Sequence, residues 1–138
     1  MTAAARATLD VRRSADQVWK LIGGFDALPD WLPYITRSRP GEGGRLRTLT
    51  TADGEVIVER LQTFDESART YTYSIERAPF PVKDYRSTLR VVDRGDGGCR
   101  VEWSGTFTAD GVTDAEASAL FDGIYRDGLA ALAETLAG

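Results

Sequence analysis

The chain has 138 residues, 42% of them hydrophobic and 28% charged, with a net charge of −4 and a pI of about 4.9. That length suits one globular domain spanning residues 1–138 with a sizeable core, and the acidic balance argues against a nucleic-acid or anionic-membrane partner. Histidine is absent and Cys99 is the single cysteine, which excludes Ser/His and Cys/His catalytic pairs, a multi-cysteine metal site and an intrachain disulfide; neither a metal nor a cofactor is expected. Residues 1–5 carry no apolar run and no stretch approaches the ~18 apolar residues that cross a bilayer, so the expectation is a cytoplasmic protein without membrane insertion.

In chain order, residues 6–11 alternate and are rich in Thr, Leu and Val, which predicts a first strand closed by Arg12 and Arg13. Ser14 and Gln17 have capping-box spacing ahead of Val18, Trp19, Leu21 and Ile22, so a short helix follows, stopped by Gly23 and Gly24. Residues 26–31 predict a second short helix, with Asp26 as N-cap, Pro29 in the first turn and Pro33 limiting its length. Phe25, Leu28, Trp31, Leu32 and Tyr34 make this connection apolar, which suits a segment packed over one edge or end of a sheet as the wall of a cavity.

After residues 35–39, the turn at 40–44 opens a series of hairpins that reaches Thr108. Strands at 45–51 and 55–64 meet at Ala52-Asp53-Gly54. In residues 70–75, Tyr71, Tyr73 and Ile75 share one face; across Ala78-Pro79-Phe80-Pro81, Tyr85, Ser87, Leu89 and Val91 oppose Arg86, Thr88 and Arg90. Beyond the turn at 95–98, Cys99, Val101, Trp103, Gly105 and Phe107 lie together. The sheet thus has one wet and one dry side.

Residues 112–136 predict one long helix, opened by a Thr113–Glu116 capping box, with Ala117, Leu120, Phe121, Ile124, Tyr125, Gly128, Leu129, Leu132 and Leu136 on a broad apolar face. About 23 residues at about 1.5 Å each give roughly 34 Å, the width of a small domain. Gly128 leaves a gap in that face for a facing residue or a ligand. One strand, short helices, about six further antiparallel strands and a long helix make an α+β order in which the helix covers the dry side of a curved sheet.

Val58-Glu59-Arg60-Leu61 with Phe64-Asp65, then residues 71–75, Pro81-Val82-Lys83-Asp84-Tyr85, Val101-Glu102-Trp103-Ser104-Gly105-Thr106-Phe107 and Ile124-Tyr125-Arg126-Asp127-Gly128-Leu129, follow in that order. Together they resemble the polyketide cyclase/dehydrase-like branch of the START-like, or SRPBCC, superfamily. The resemblance implies a helix-grip fold, in which a seven-stranded antiparallel sheet wraps the C-terminal helix around an elongated cavity. It implies small hydrophobic ligands such as lipids, sterols, hormones or polyketides, and in some members cyclisation or dehydration. The chain also resembles, more distantly, the plant abscisic acid receptors. That resemblance matches Glu59, Tyr85 and Ser87 to polar cavity residues and Arg47 to an inward arginine, and makes residues 51–54 and 78–81 the counterparts of two closing loops. Pro33 stands where the receptors' carboxylate-binding lysine would be, and Trp103 and Gly128 replace polar cavity residues, so hormone binding is not carried over.

Glu59 lies between Ile57 and Leu61 on an alternating strand. Either these three face inward and the carboxylate needs a partner, for which Arg47 is the natural choice, or Val56 and Val58 face inward and Glu59 is solvated. Tyr71, Tyr73, Tyr85, Trp103 and Tyr125 are inward aromatics that pack a core or stack on a planar ligand; Trp31 and Phe80 are candidates for the cavity mouth, and Phe121, Ile124 and Gly128 for its helical wall. Cys99, without a histidine to activate it, reads as core.

Three functions remain open. The first is a binding protein for a small apolar molecule oriented by Arg47, Glu59, Tyr85 and Ser87, working as a monomer or homodimer. The second is a cyclase or dehydratase in which Glu59 and Tyr85 transfer protons and Arg47 stabilises an oxyanion. The third is an interaction module that uses the loops at 51–54 and 78–81.

Overall fold

The computed structural model describes residues 2–137. Seven strands, β1 (Ala3–Val11), β2 (Ile35–Gly41), β3 (Leu46–Thr51), β4 (Val56–Asp65), β5 (Thr70–Arg77), β6 (Val82–Asp93) and β7 (Cys99–Ala109), form one antiparallel sheet in the order β1-β7-β6-β5-β4-β3-β2. Helix α1 (Ala15–Ile22) follows β1, and α2 (Asp114–Ala137) ends the chain. Register shifts in the β4–β5 ladder at Val58/Glu59, where the extra residue is on β5, and at Leu61/Thr63, where it is on β4, together with one on β6 between Lys83 and Arg86, add local twist that bends the sheet. Its concave face holds the alternating aromatics and packs against α2.

Both expected capping boxes form. Gln17 N donates to Ser14 Oγ at 3.2 Å and Ser14 N to Gln17 Oε1 at 3.1 Å; Glu116 N and Thr113 Oγ1, and Thr113 N and Glu116 Oε1, are each 3.1 Å apart. Thr113→Ala is expected to cost about 1 kcal/mol, read as a lower urea midpoint at unchanged slope.

Three elements differ from the sequence reading. Strand β1 begins at Ala3, ahead of the expected Arg6, because Ala3 and Ala5 are buried small residues that let α2 approach, and alanine carries no strand signal of its own. The second helix is reduced to a 3-10 turn at Leu28–Asp30 capped at Ala27; the Asp26 carboxylate instead accepts from Ser38 Oγ, so it is not an N-cap. Strand β2 runs through Pro40, whose missing N–H is tolerated because β2 is an edge strand with one side unpaired.

On α2, Ala117, Phe121, Tyr125, Gly128, Leu129 and Leu132 are buried. Leu120, about 100° around the helix from Phe121, falls outside the stripe and is 37% exposed. The space at Gly128 is taken by a facing residue: a Cβ there would lie 2.6 Å from Trp103 Cζ3 and 3.2 Å from Leu32 Cδ2. Gly128→Ala therefore sets a helix gain of about 1 kcal/mol against overpacking of about 1–3 kcal/mol, and a net loss of stability in chemical denaturation is the expected result. Cys99 is fully buried, and burial pushes its thiol up, so it serves as core.

Candidate functional site

Between the sheet and α2 the core opens into a cavity of about 360 Å³. The segment after α1 supplies Leu28, Leu32, Pro33, Tyr34 and Ile35; β3, β4 and β5 supply Leu49, Ile57, Glu59, Tyr73 and Ile75. Phe80, Tyr85 and Trp103 form the far wall, and α2 closes it with Phe121, Ile124, Tyr125, Asp127, Gly128 and Ala131. Pro33, Tyr34 and Asp127 are exposed, which puts the mouth between the 32–35 segment and α2. Such a volume and such a lining are ordinary for a small-molecule site.

Glu59 does face inward, because Ile57 and Glu59 alternate with the outward Val56 and Val58. Arg47, opposite it across the β3–β4 ladder, donates through Nε to Oε1 at 2.8 Å, and its Nη2 lies 2.7 Å from the same oxygen as an ion pair. Its Nη1 donates to Phe25 O at 2.5 Å and to Tyr71 Oη at 3.3 Å, and the Phe25 and Tyr73 rings lie 4.0 and 4.8 Å from the guanidinium carbon. Burial pushes the Glu59 carboxyl above the usual carboxylate range, against the pull of Arg47. Oε2 has no hydrogen-bond partner among the described residues, and Glu59 lines the cavity.

A second polar cluster surrounds Ser87. Trp103 Nε1 donates to Tyr73 Oη at 3.1 Å and Ser87 Oγ at 3.2 Å, Ser87 Oγ donates to Ser104 O at 2.7 Å, and the Tyr85 and Tyr125 hydroxyls bond to each other. Gly105 makes room for the Tyr125 hydroxyl, which a Cβ would overlap. Burial raises Tyr73 and Tyr85 well above the ordinary phenol value and pushes Tyr125 up to about 12. At neutral pH these phenols are protonated, so they donate hydrogen bonds and do not act as bases.

Of the residues expected at the site, Glu59, Tyr73, Phe80, Tyr85, Trp103, Phe121, Ile124, Tyr125 and Gly128 meet around the cavity. Four do not reach it. Arg47, 1% exposed, lies behind Glu59 with Phe25 and Tyr71 as its other partners and is not among the lining residues. Tyr71 is held in the Phe25, Phe64 and Trp19 cluster; Ser87 lies under Trp103; Trp31 packs 5.7 Å from Trp103 as core, not mouth, with its Nε1 unpartnered. Residues 51–54 contribute no lining, although Ala52 N bonds Tyr34 O at 2.9 Å and so ties that turn to the rim. Leu49, Ile57 and Ile75 were open to the alternation argument that found Glu59. Asp127 carried no such signal, being a charged neighbour of Gly128 on the helix.

A curved antiparallel sheet gripping a long helix around an apolar cavity defines the helix-grip class of ligand-binding and catalytic domains. The family model described as polyketide cyclase / dehydrase and lipid transport matches residues 2–137. The chain belongs to this family. No curated protein matches the chain. Among solved structures it is similar to the protein XoxI from Bacillus cereus, with 52% identity over 96% of this chain and 94% of that one and a TM-score of 0.93. It is also similar to an uncharacterised protein from Bacillus thuringiensis, with 50% identity over 99% of this chain and all (100%) of that one and a TM-score of 0.96. The fold extends to the di-domain ARO/CYC BexL of the BE-7585A biosynthetic pathway, at 20% identity over 96% of this chain and 46% of that one, with a TM-score of 0.80. No helix among the described residues is long and apolar enough to cross a membrane.

Proposed function

We propose that the chain binds a small, predominantly apolar molecule in the cavity between sheet and helix, with Glu59 as its polar anchor and Tyr73, Tyr85, Trp103 and Phe121 as its aromatic walls. The observation that carries this reading is an apolar cavity of about 360 Å³ with one carboxylate oxygen left unpartnered in it. Apolar surface of that kind gains by excluding water, and the lone polar group fixes orientation. Titration with the neutral dye N-phenyl-1-naphthylamine should give a saturable fluorescence rise and a higher melting temperature, both lost in Ile57→Trp, which fills the cavity. A flat titration with an unchanged melting temperature would overturn the reading.

A second reading, catalysis of cyclisation or dehydration, is supported by a buried carboxylate and protonated phenols on one wall. In it Glu59 is the base and Tyr85 the hydrogen-bond or proton donor, while Arg47 acts only through Glu59. Turnover of a polyketide-like substrate that survives both Glu59→Gln and Tyr85→Phe would exclude it.

A further inference from the structure

The cavity's ionisable lining is of one sign. Glu59 presents Oε2, Asp127 stands at the rim, and no Lys or Arg is among the lining residues described. The nearest cation, Arg47, has Oε1 of Glu59, Phe25 O and Tyr71 Oη as acceptors and aromatic rings over its faces. An anion entering the cavity would therefore meet Glu59 Oε2 and find no cation free to pair with, since Arg47 lies behind that carboxylate and is already paired with it, in surroundings that screen poorly.

Beside Glu59 stands a donor. The β4–β5 register pairs Glu59 with Ile75 and Leu61 with Tyr73, which makes Glu59 and Tyr73 diagonal neighbours on the inner face. The Tyr73 hydroxyl accepts from Trp103 Nε1, and its own proton has no acceptor among the described residues. A free acceptor and a free donor side by side match a group that both donates and accepts. A carboxylate would face Glu59 as a like charge, and an ammonium would leave the Tyr73 proton unpaired.

We propose that the ligand is a neutral apolar molecule bearing a hydroxyl, which donates to Glu59 Oε2 and accepts from Tyr73 Oη, and that carboxylate-bearing ligands are excluded. This rests on the ligand-binding reading of the same cavity.

Three probes sharing one ring system test it by calorimetric titration at neutral pH: naphthalene, 2-naphthalenemethanol and 2-naphthoate. The alcohol should bind more tightly than naphthalene and at least roughly tenfold more tightly than the naphthoate. In Tyr73→Phe the advantage of the alcohol over naphthalene should shrink; the variant should fold, since Trp103 Nε1 keeps Ser87 Oγ at 3.2 Å. In Glu59→Gln the naphthoate should gain affinity, and if that variant does not fold, Tyr73→Phe decides alone. Naphthoate binding as tightly as the alcohol, or a preference unchanged in Tyr73→Phe, would overturn the hydroxyl inference while leaving the ligand-binding reading intact. Failure of all three probes, naphthalene included, would overturn both.

Discussion

Replacing Arg47 by Met should cost about 3–5 kcal/mol at neutral pH, and the cost should shrink as the solution is made acidic. The guanidinium is 1% exposed and supplies both contacts that the Glu59 carboxylate makes, so its removal leaves a buried charge alone. The sign follows from Glu59. Its folded pKa already lies above the ordinary 4.5, and losing Arg47 removes the largest opposing influence and raises it further. A carboxyl raised on folding binds its proton more tightly in the native state, so stability falls as pH climbs from the ordinary value through the raised one. Below the ordinary value the group is protonated in both states and that penalty vanishes. Urea midpoints of variant and wild type should therefore converge from neutral pH downward, leaving the residual loss of packing against Phe25 and Tyr73. The double variant Arg47→Met with Glu59→Leu should recover most of the neutral-pH loss, because a buried ion pair contributes little net stability over apolar replacements. A loss in Arg47→Met that does not change with pH would contradict this account.

Trp103→Ala is expected to cost about 3–5 kcal/mol in equilibrium denaturation. The indole stacks 4.8 Å from Tyr125 and packs 5.7 Å from Trp31, and its N–H serves both Tyr73 and Ser87. Its removal enlarges the existing cavity against α2 at Gly128, which already lines it. The coupling to Gly128 gives a sharper test. Alanine at 128 destabilises the wild type because it meets Trp103 Cζ3 at 2.6 Å; in the Trp103→Ala background only the flexible tip of Leu32, Cδ2 at 3.2 Å, is left to give way. There the same change should stabilise by about 1 kcal/mol through helix propensity. A double-mutant cycle that shows additivity would mean the helix has another reason for its glycine.

The fold was legible where a period was enforced by burial on one side. Tyr71, Tyr73, Tyr85 and Trp103 mark the dry face because each alternates with polar neighbours, and the two capping boxes are local devices that need no tertiary information. Legibility ended where a tertiary contact redirected a residue. Asp26 has N-cap chemistry, yet Ser38, brought near by β2, takes its carboxylate. The same holds at the site: alternation identified Glu59 as inward on one of two registers, but whether Arg47 reached the cavity depended on Phe25 closing over it from the segment after α1. Asp127 lines the mouth beside Gly128, which faces Trp103, a relation between two elements that neither stretch of sequence contains.

The pairing of β1 with β7, with Ala3 opposite Phe107, also bears on the order in which this molecule can assemble during synthesis. Strand β1 leaves the ribosome with no ladder partner and waits until β7 has been made. Helix α2, which also packs against β1, comes later still. The hairpins of β2 to β5 can pair as they emerge, whereas the cavity has neither its far wall nor its roof. Closure of the cavity and completion of the native state are thus late and nearly simultaneous events, and a nascent chain halted before β7 exposes the aromatic face that the finished protein hides.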